Sequence, residues 1–295
     1  MEYYLHLVLN GLVIGSIYSL VALGFVIIYK ATKVVNFAQG ELVMFGAYVC
    51  FALTVQLGLP FLISFFMTLI FSVILGLCLE RVILRPMIGE PIISVIMVTV
   101  GLSTVLKAVI QLFWGTSIRV YPQVLPTEPV WILGLPVAPV YIAAFCLSVV
   151  LFVIFSFFFK YSTMGIAMRA TAFDQQAAQS MGIGVKNIFA MSWCIAAVVS
   201  SIGGIILGNI NGINPQLGHL GLKVFPAVIL GGLDSLLGAA IGGLIIGILE
   251  NVSDGLAQQL FGLAGFREVA AYVVLVIILM IRPYGLFGTH EIERV

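Results

Sequence analysis

The sequence predicts an all-α, polytopic transmembrane helical bundle, with about eight spanning helices plus one short broken or re-entrant helix. Three observations predict it. Hydrophobic residues make up 62% of the 295 positions and charged residues only 8%, against about 25% charged in soluble globular chains. The mean hydropathy of +1.21 leaves too little polar surface to coat a soluble particle of this length. Several apolar runs exceed the roughly 18 residues needed to cross a hydrocarbon core, and runs that long suit helices rather than barrel strands.

The first run covers residues 4–29 and is followed by Lys30 and Lys33, which favours an N-out orientation by the positive-inside rule. Glu2 is the only charge before Lys30, so the segment lacks the basic start of a signal peptide and is read as a retained span. Residues 30–40 are then cytoplasmic, 41–58 go outward, Pro60 makes a tight outer turn and 61–79 return. The loop from Glu80 to Pro91 carries Arg81 and Arg85 on the cytoplasmic side. Residues 92–114 lead out to a proline-rich extracytoplasmic loop, 115–137, flanked by Trp114, Tyr121 and Trp131 as an interfacial aromatic belt. Residues 139–159 re-enter and deliver the longest polar stretch, 160–187, to the cytoplasm, where Lys160, Arg169 and Lys186 belong. Residues 188–208 go outward again.

The remainder poses a parity problem. One simple crossing over 225–250 would strand Arg282 and Arg294 outside. Gly231-Gly-Leu-Asp-Ser235 offers a break: a short helix over 225–230 goes in, turns, and a second helix returns outward before the last span, 268–281. A break at membrane depth is tolerated only where it is buried in protein or lines a cavity. The whole chain, 1–295, reads as a single permeation-type domain.

Glycines recur at four-residue spacing in Gly11/Gly15, Gly204/Gly208/Gly212, Gly238/Gly242 and Gly243/Gly247, a spacing that lets helix backbones approach closely. Cys50, Cys78, Cys146 and Cys194 each sit inside an apolar run and fit neither a zinc site nor a disulfide framework. No Gly-Lys-Ser/Thr sequence provides a phosphate loop, and His6, His219 and His290 are scattered. No catalytic group, metal site or cofactor site is expected, and a net charge of +1 does not advertise nucleic acid.

Within the polar stretch, Thr171 and Asp174 have capping-box spacing and Gly182 is placed to end a helix of about ten residues. Phe173, Ala177 and Met181 recur every four residues beside a side rich in Asp174, Gln175, Gln176 and Gln179. A short helix with one large apolar knob suits a partner's groove; a membrane-surface helix wants a wider apolar face and more basic residues. Ionisable groups inside spans are functional candidates by default. Glu41 follows Asn36, Phe37 and Gln39 at a helix start, where capping is an alternative role. Lys107 is read as snorkelling, and Glu250 with Asp254 as packing or assembly. Asn209, Asn211 and Asn214 at an outer helix end are gate candidates, alongside a plain wet loop. Gly231, Gly232, Asp234 and Ser235 form the candidate break in the path.

The stretch Ala31-Thr-Lys-Val-Val-Asn-Phe-Ala-Gln-Gly-Glu-Leu-Val-Met-Phe-Gly-Ala47 resembles the signature of branched-chain amino acid ABC transporter permeases. So do Glu80-Arg-Val-Ile-Leu-Arg-Pro86, Arg169-Ala170 leading to Met181-Gly-Ile183, and Gly231-Gly-Leu-Asp-Ser-Leu-Leu-Gly-Ala239 leading to Glu250. One departure is the charge at Asp234. The resemblance implies that Arg169, Ala170, Phe173, Ala177, Met181 and Gly182 belong to a coupling helix that docks on an ATPase. It also implies a second permease subunit, two ATP-binding cassette subunits, an extracytoplasmic substrate-binding protein and a bacterial inner (plasma) membrane location. The substrate expected is a branched-chain or other hydrophobic amino acid, with amides or urea as alternatives. A stand-alone channel or secondary transporter is the competing class, but no inverted repeat supports it.

Overall fold

The structure is a computed structural model, and it describes residues 2–122, 128–132, 135–262, 265–282 and 284–288. Eleven α-helices follow one another: α1 Glu2–Thr32, α2 Gln39–Phe51, α3 Phe61–Leu79, α4 Ile92–Trp114, α5 Pro139–Tyr161, α6 Thr163–Phe173, α7 Gln175–Ser180, α8 Val185–Asn211, α9 Leu220–Gly231, α10 Leu236–Phe261 and α11 Phe266–Ile281. One turn of π-helix extends α2 through Ala52–Gln56, another extends α3 through Glu80–Leu84, and a 3-10 turn covers Pro215–His219. The strands β1 Val130–Ile132 and β2 Leu135–Val137 pair as an antiparallel hairpin, which the all-helical expectation did not contain.

Among the described residues, six helices are long and apolar enough to cross a membrane: α1, α3, α4, α5, α8 and α10. The α2 helix with its π-turn and α11 supply two shorter apolar helices, and α9 is a short one of 12 residues. Local sequence sets several ends. Pro60 and Pro91 precede α3 and α4, where a missing N–H costs no helical bond. Gly115 (φ +75°) closes α4 and Gly262 (φ +65°) closes α10 in backbone geometry that side chains disfavour.

The chain forms two compact units, one of residues 1–26, 127–152 and 223–295, the other of residues 27–126 and 153–222. In the first, α1 and α10 pack antiparallel on glycine. A Cβ on Gly11 would stand 2.7 Å from Ile248 Cα, and one on Gly15 would stand 2.8 Å from Leu244 Cα. The Ser19 hydroxyl lies 2.7 Å from the Ala240 carbonyl along the same seam.

The anticipated break in the 225–250 run is present. α9 ends at Gly231, Gly232 turns with φ +105°, and Ser235 caps α10 by accepting from the Gly238 N–H at 3.0 Å. Its helix before the break starts earlier than expected, at Leu220. The carbonyls orphaned by the break are met by a later segment: Leu286 N–H donates to Leu230 O at 2.8 Å and Phe287 N–H to Gly231 O at 3.1 Å. Both carbonyls are thereby paired within protein.

In the second unit α8 is central and almost wholly buried. Gly204 of α8 takes the Val43 carbonyl of α2 directly against its backbone, and Gly46 of α2 does the same for Ser201. Gln39 pairs with Ser200, Val43 with Gly204 and Ala47 with Gly208, so α2 and α8 run parallel. α3 runs antiparallel to α8, with Gly76 against Trp193 and the Ser72 and Ser201 hydroxyls 2.7 Å apart. The core of this unit gathers Met44, Tyr48, Phe51, Leu106, Ile110 and Ile205 around that three-helix contact.

Candidate functional site

The segment joining α1 to α2 departs from the sequence expectation. Residues 30–40 were read as a cytoplasmic loop, but α1 continues to Thr32 and the chain then turns back into the protein. Lys33 makes the turn with φ +58°, the only positive φ at a non-glycine among the described residues. Asn36 and Gln39 are buried, and Gln39 bonds to Ser200. Ser200 lies 15 residues from the start of α8 and 11 from its end, about 22 Å and 16 Å at 1.5 Å per residue. The α2 helix therefore begins near mid-depth of α8, not at its end.

Side chains replace the backbone ladder there. Asn36 Oδ1 accepts from Ala38 N–H at 3.0 Å, Asn36 Nδ2 donates to Gln39 Oε1 at 3.2 Å, and Phe37 N–H donates to Thr99 Oγ1 of α4 at 3.3 Å. Each bond occupies a group that would otherwise cost several kcal/mol in hydrocarbon. The following Gly40 sits backbone to backbone with Gly218 and Gly221.

Glu41 is only 7% exposed, and its Oε2 has no hydrogen-bond partner. A Cβ on Gly218 would lie 3.0 Å from Glu41 Oε1, so glycine lets the 3-10 turn lie close over this carboxylate. On the turn itself, His219 Nε2 lies 3.0 Å from Lys107 Nζ, which gives Lys107 a partner beyond the snorkelling expected of it. Lys107, Gln111, Asn214, Gln216 and His219 line an open cavity of about 360 Å³. Of the expected gate asparagines, Asn214 caps the turn through Gln216 N–H at 2.9 Å, Asn209 bonds to Ile205 O at 2.8 Å, and Asn211 is exposed at the end of α8. They do not form one cluster.

A second cavity, of about 240 Å³, opens below the Asn36–Gln39 turn, with Asn36 and Thr99 among its walls and Gln175 also lining it. Glu80 in its wall is buried and held by Arg85 in a two-point ion pair at 3.2 and 2.9 Å. In the other unit, Gly231, Gly232 and Ser235 form the α9–α10 break. Glu250 accepts from the Tyr18 hydroxyl at 2.9 Å, Asp254 accepts from Gly265 N–H at 3.1 Å, and Arg267 donates to Asn251 at 2.7 Å. Buried Glu250 thus ties α1 to α10, and half-buried Asp254 with buried Asn251 ties α11 to it.

The polar stretch also needs correction. Thr171 does not cap a ten-residue helix: it lies inside α6 and its hydroxyl donates to Ala167 O at 2.9 Å. Asp174, with extended backbone (φ −152°, ψ 112°), breaks the helix and caps α7 by accepting from Gln176 and Ala177 N–H at 2.8 and 2.9 Å. Gly182 follows α7 with φ +85°, as expected of a terminator. Phe173 is 94% exposed and Met181 84%, with Ala177 exposed between them. Arg169 donates to the carbonyl of Phe159, fastening α6 to the end of α5, while Ala170 is half-buried.

The family described as the branched-chain amino acid transport system / permease component matches residues 7–282. The chain belongs to that family. This permease is 31% identical over 307 residues to the high-affinity branched-chain amino acid transport system permease protein BraD of Pseudomonas aeruginosa, covering 99% of this chain and 98% of BraD. It is 30% identical over 313 residues to LivH of Escherichia coli K12, with the same coverage. The solved structure of PsaBC from Streptococcus pneumoniae in complex with Fab shares its fold, with a TM-score of 0.51 at 14% identity over 93% of this chain and 91% of that one.

Several residues of the permease's buried turn escape sequence reasoning. Ser200 and Thr99 look like ordinary small polar residues inside apolar helices, and only tertiary pairing shows what they hold. Gly218 and Gly221 were outside the four-residue glycine pairs, although their own spacing of three is the signal of a close approach.

Proposed function

We propose that this permease subunit, with a second permease subunit, carries branched-chain amino acids inward across the cell membrane, driven by ATP hydrolysis on two docked ATPase subunits and fed by an extracytoplasmic binding protein. The exposed Phe173–Met181 segment carries this reading. A chain without any phosphate loop receives its energy from outside itself, and a large apolar side chain left bare on a polar segment is what a partner's pocket recognises. The distribution of Lys30, Lys33, Arg85, Lys160 and Lys186 supports a cytoplasmic position for that segment, residues 160–187, and an outer one for residues 115–137. The backbone break at residues 33–40 is an irregular element of the kind around which a path is built, with Asn36, Gln39 and Glu41 as its polar residues, and Gly231, Gly232, Asp234 and Ser235 form a break of the same kind within the other unit. The chain acts as one permease domain in a multi-pass inner-membrane complex.

The test is co-expression of the tagged chain with its neighbouring transport subunits, followed by purification and uptake in vesicles. ATPase subunits are expected to co-purify, and labelled leucine, isoleucine or valine to accumulate only with ATP and binding protein. Accumulation without ATP would sink the importer reading, and uptake of urea or acetamide in place of leucine would sink the substrate.

A further inference from the structure

The cavity below the Asn36–Gln39 turn shares Asn36 with the path proposed above, and its lining is chemically specific. Its lining includes the apolar Ile28, Val95, Phe189 and Trp193. It also carries both signs of charge: Lys33 on the turn, Glu90, and Glu80 in its ion pair with Arg85. At about 240 Å³ the space falls below the roughly 300 Å³ at which sites for drug-sized ligands begin. A lipid acyl chain gains nothing from two carboxylates, and an anionic headgroup is repelled by them. Urea or a simple amide leaves the apolar wall unused. A small zwitterion with an aliphatic side chain suits this lining: side chain on Val95 and Trp193, ammonium toward Glu90, carboxylate toward Lys33 and the Asn36 amide. Arg85 already holds both oxygens of buried Glu80, so exposed Glu90 is the carboxylate that meets the ammonium.

The cavity also touches the docking segment. Gln175 lines it and is the first residue of α7, directly after the Asp174 cap and two positions from Phe173. An occupant therefore bears on the element through which the ATPase engages.

We propose that this cavity is a binding site for a free aliphatic α-amino acid arriving from the cytoplasm, and that its occupancy restrains α7 so that accumulated product slows ATP hydrolysis. The inference rests on the importer reading and on the inward placement of Lys33 and Arg85.

The test uses the whole complex in inside-out membranes, with the four native cysteines replaced by alanine and one cysteine introduced by Met87→Cys in the cavity wall. Leucine at millimolar concentration is expected to slow maleimide labelling at position 87 at least threefold, while aspartate and urea leave the rate unchanged. Leucine is likewise expected to lower ATPase activity at least twofold. Val95→Phe, which fills the cavity, abolishes both effects while uptake persists; Ile88→Trp, from the flanking loop, fills the same space if Val95→Phe fails to assemble. Equal labelling with and without leucine overturns the proposal, as does leucine inhibition that survives filling of the cavity. Either result alongside normal leucine uptake leaves the importer reading standing, whereas a complex that carries a different substrate fails that reading through uptake alone.

Discussion

Single glycines set the tolerances of the second unit. At Gly204 a Cβ would meet the Val43 carbonyl oxygen, an atom of the α2 backbone that no rotamer change can move aside. Gly204→Leu should therefore force α2 and α8 apart and cost about 1–3 kcal/mol or more, the usual penalty for overpacking. The thermal midpoint of the detergent-solubilised complex reads this directly. Gly101→Leu provides the comparison, since nothing lies within 4 Å of a Cβ there. An unchanged midpoint for Gly204→Leu would mean that the close α2–α8 approach is not required. Glu41 shows the opposite use of glycine: Gly218 lets a backbone turn cover a carboxylate that sequence alone offered as a possible helix cap.

At the scale of elements, α7 separates two effects that the sequence blended. Asp174 builds the helix and Phe173 presents the contact. Asp174→Ala loses two capping bonds, worth about 0.5–2 kcal/mol for a helix N-terminus, and should loosen α7 without removing the knob. Phe173→Ala should leave α7 intact and weaken ATPase binding by about 2 kcal/mol, more than tenfold in affinity. Gln179→Ala, exposed and polar, is the control. Measured ATPase affinity and coupled uptake distinguish them; a Phe173→Ala complex that assembles and transports normally would place the contact elsewhere. The spans themselves were legible wherever hydropathy and punctuation agreed, as at Ile92–Trp114 between Pro91 and Gly115. The Gly231–Ser235 break was legible too, because charge parity and a glycine pair pointed to one place. The Asn36–Gln39 turn was not. The neighbouring lysines read residues 30–40 as a cytoplasmic loop, and the turn's burial depends on Ser200, Thr99 and Gly218, far away in sequence. Thr171 misled for a related reason: its hydroxyl was free to bond back to Ala167, and Asp174 was the better cap.

At the scale of the molecule, both compact units are assembled from separated stretches of chain. That arrangement has a consequence for how the protein is made. The Asn36–Gln39 turn obtains its partner from Ser200 and its cover from Gly218 and Gly221, residues translated more than 150 positions later. Until then Gln39 lacks its Ser200 partner and the turn lacks its cover, although Asn36 and Thr99 already serve part of it, and hydrocarbon costs several kcal/mol per unpaired group. Nascent chains stalled on the ribosome before residue 185 should therefore keep this turn in water, whatever the hydropathy of α2 suggests. A cysteine introduced by Ala38→Cys is expected to react with a water-soluble maleimide in such chains and to be shielded in the full-length protein. Equal shielding at both lengths would show that α2 enters the bilayer unaided. Insertion of this protein is thus not a left-to-right threading of finished helices: its second helix waits at the membrane surface for the eighth.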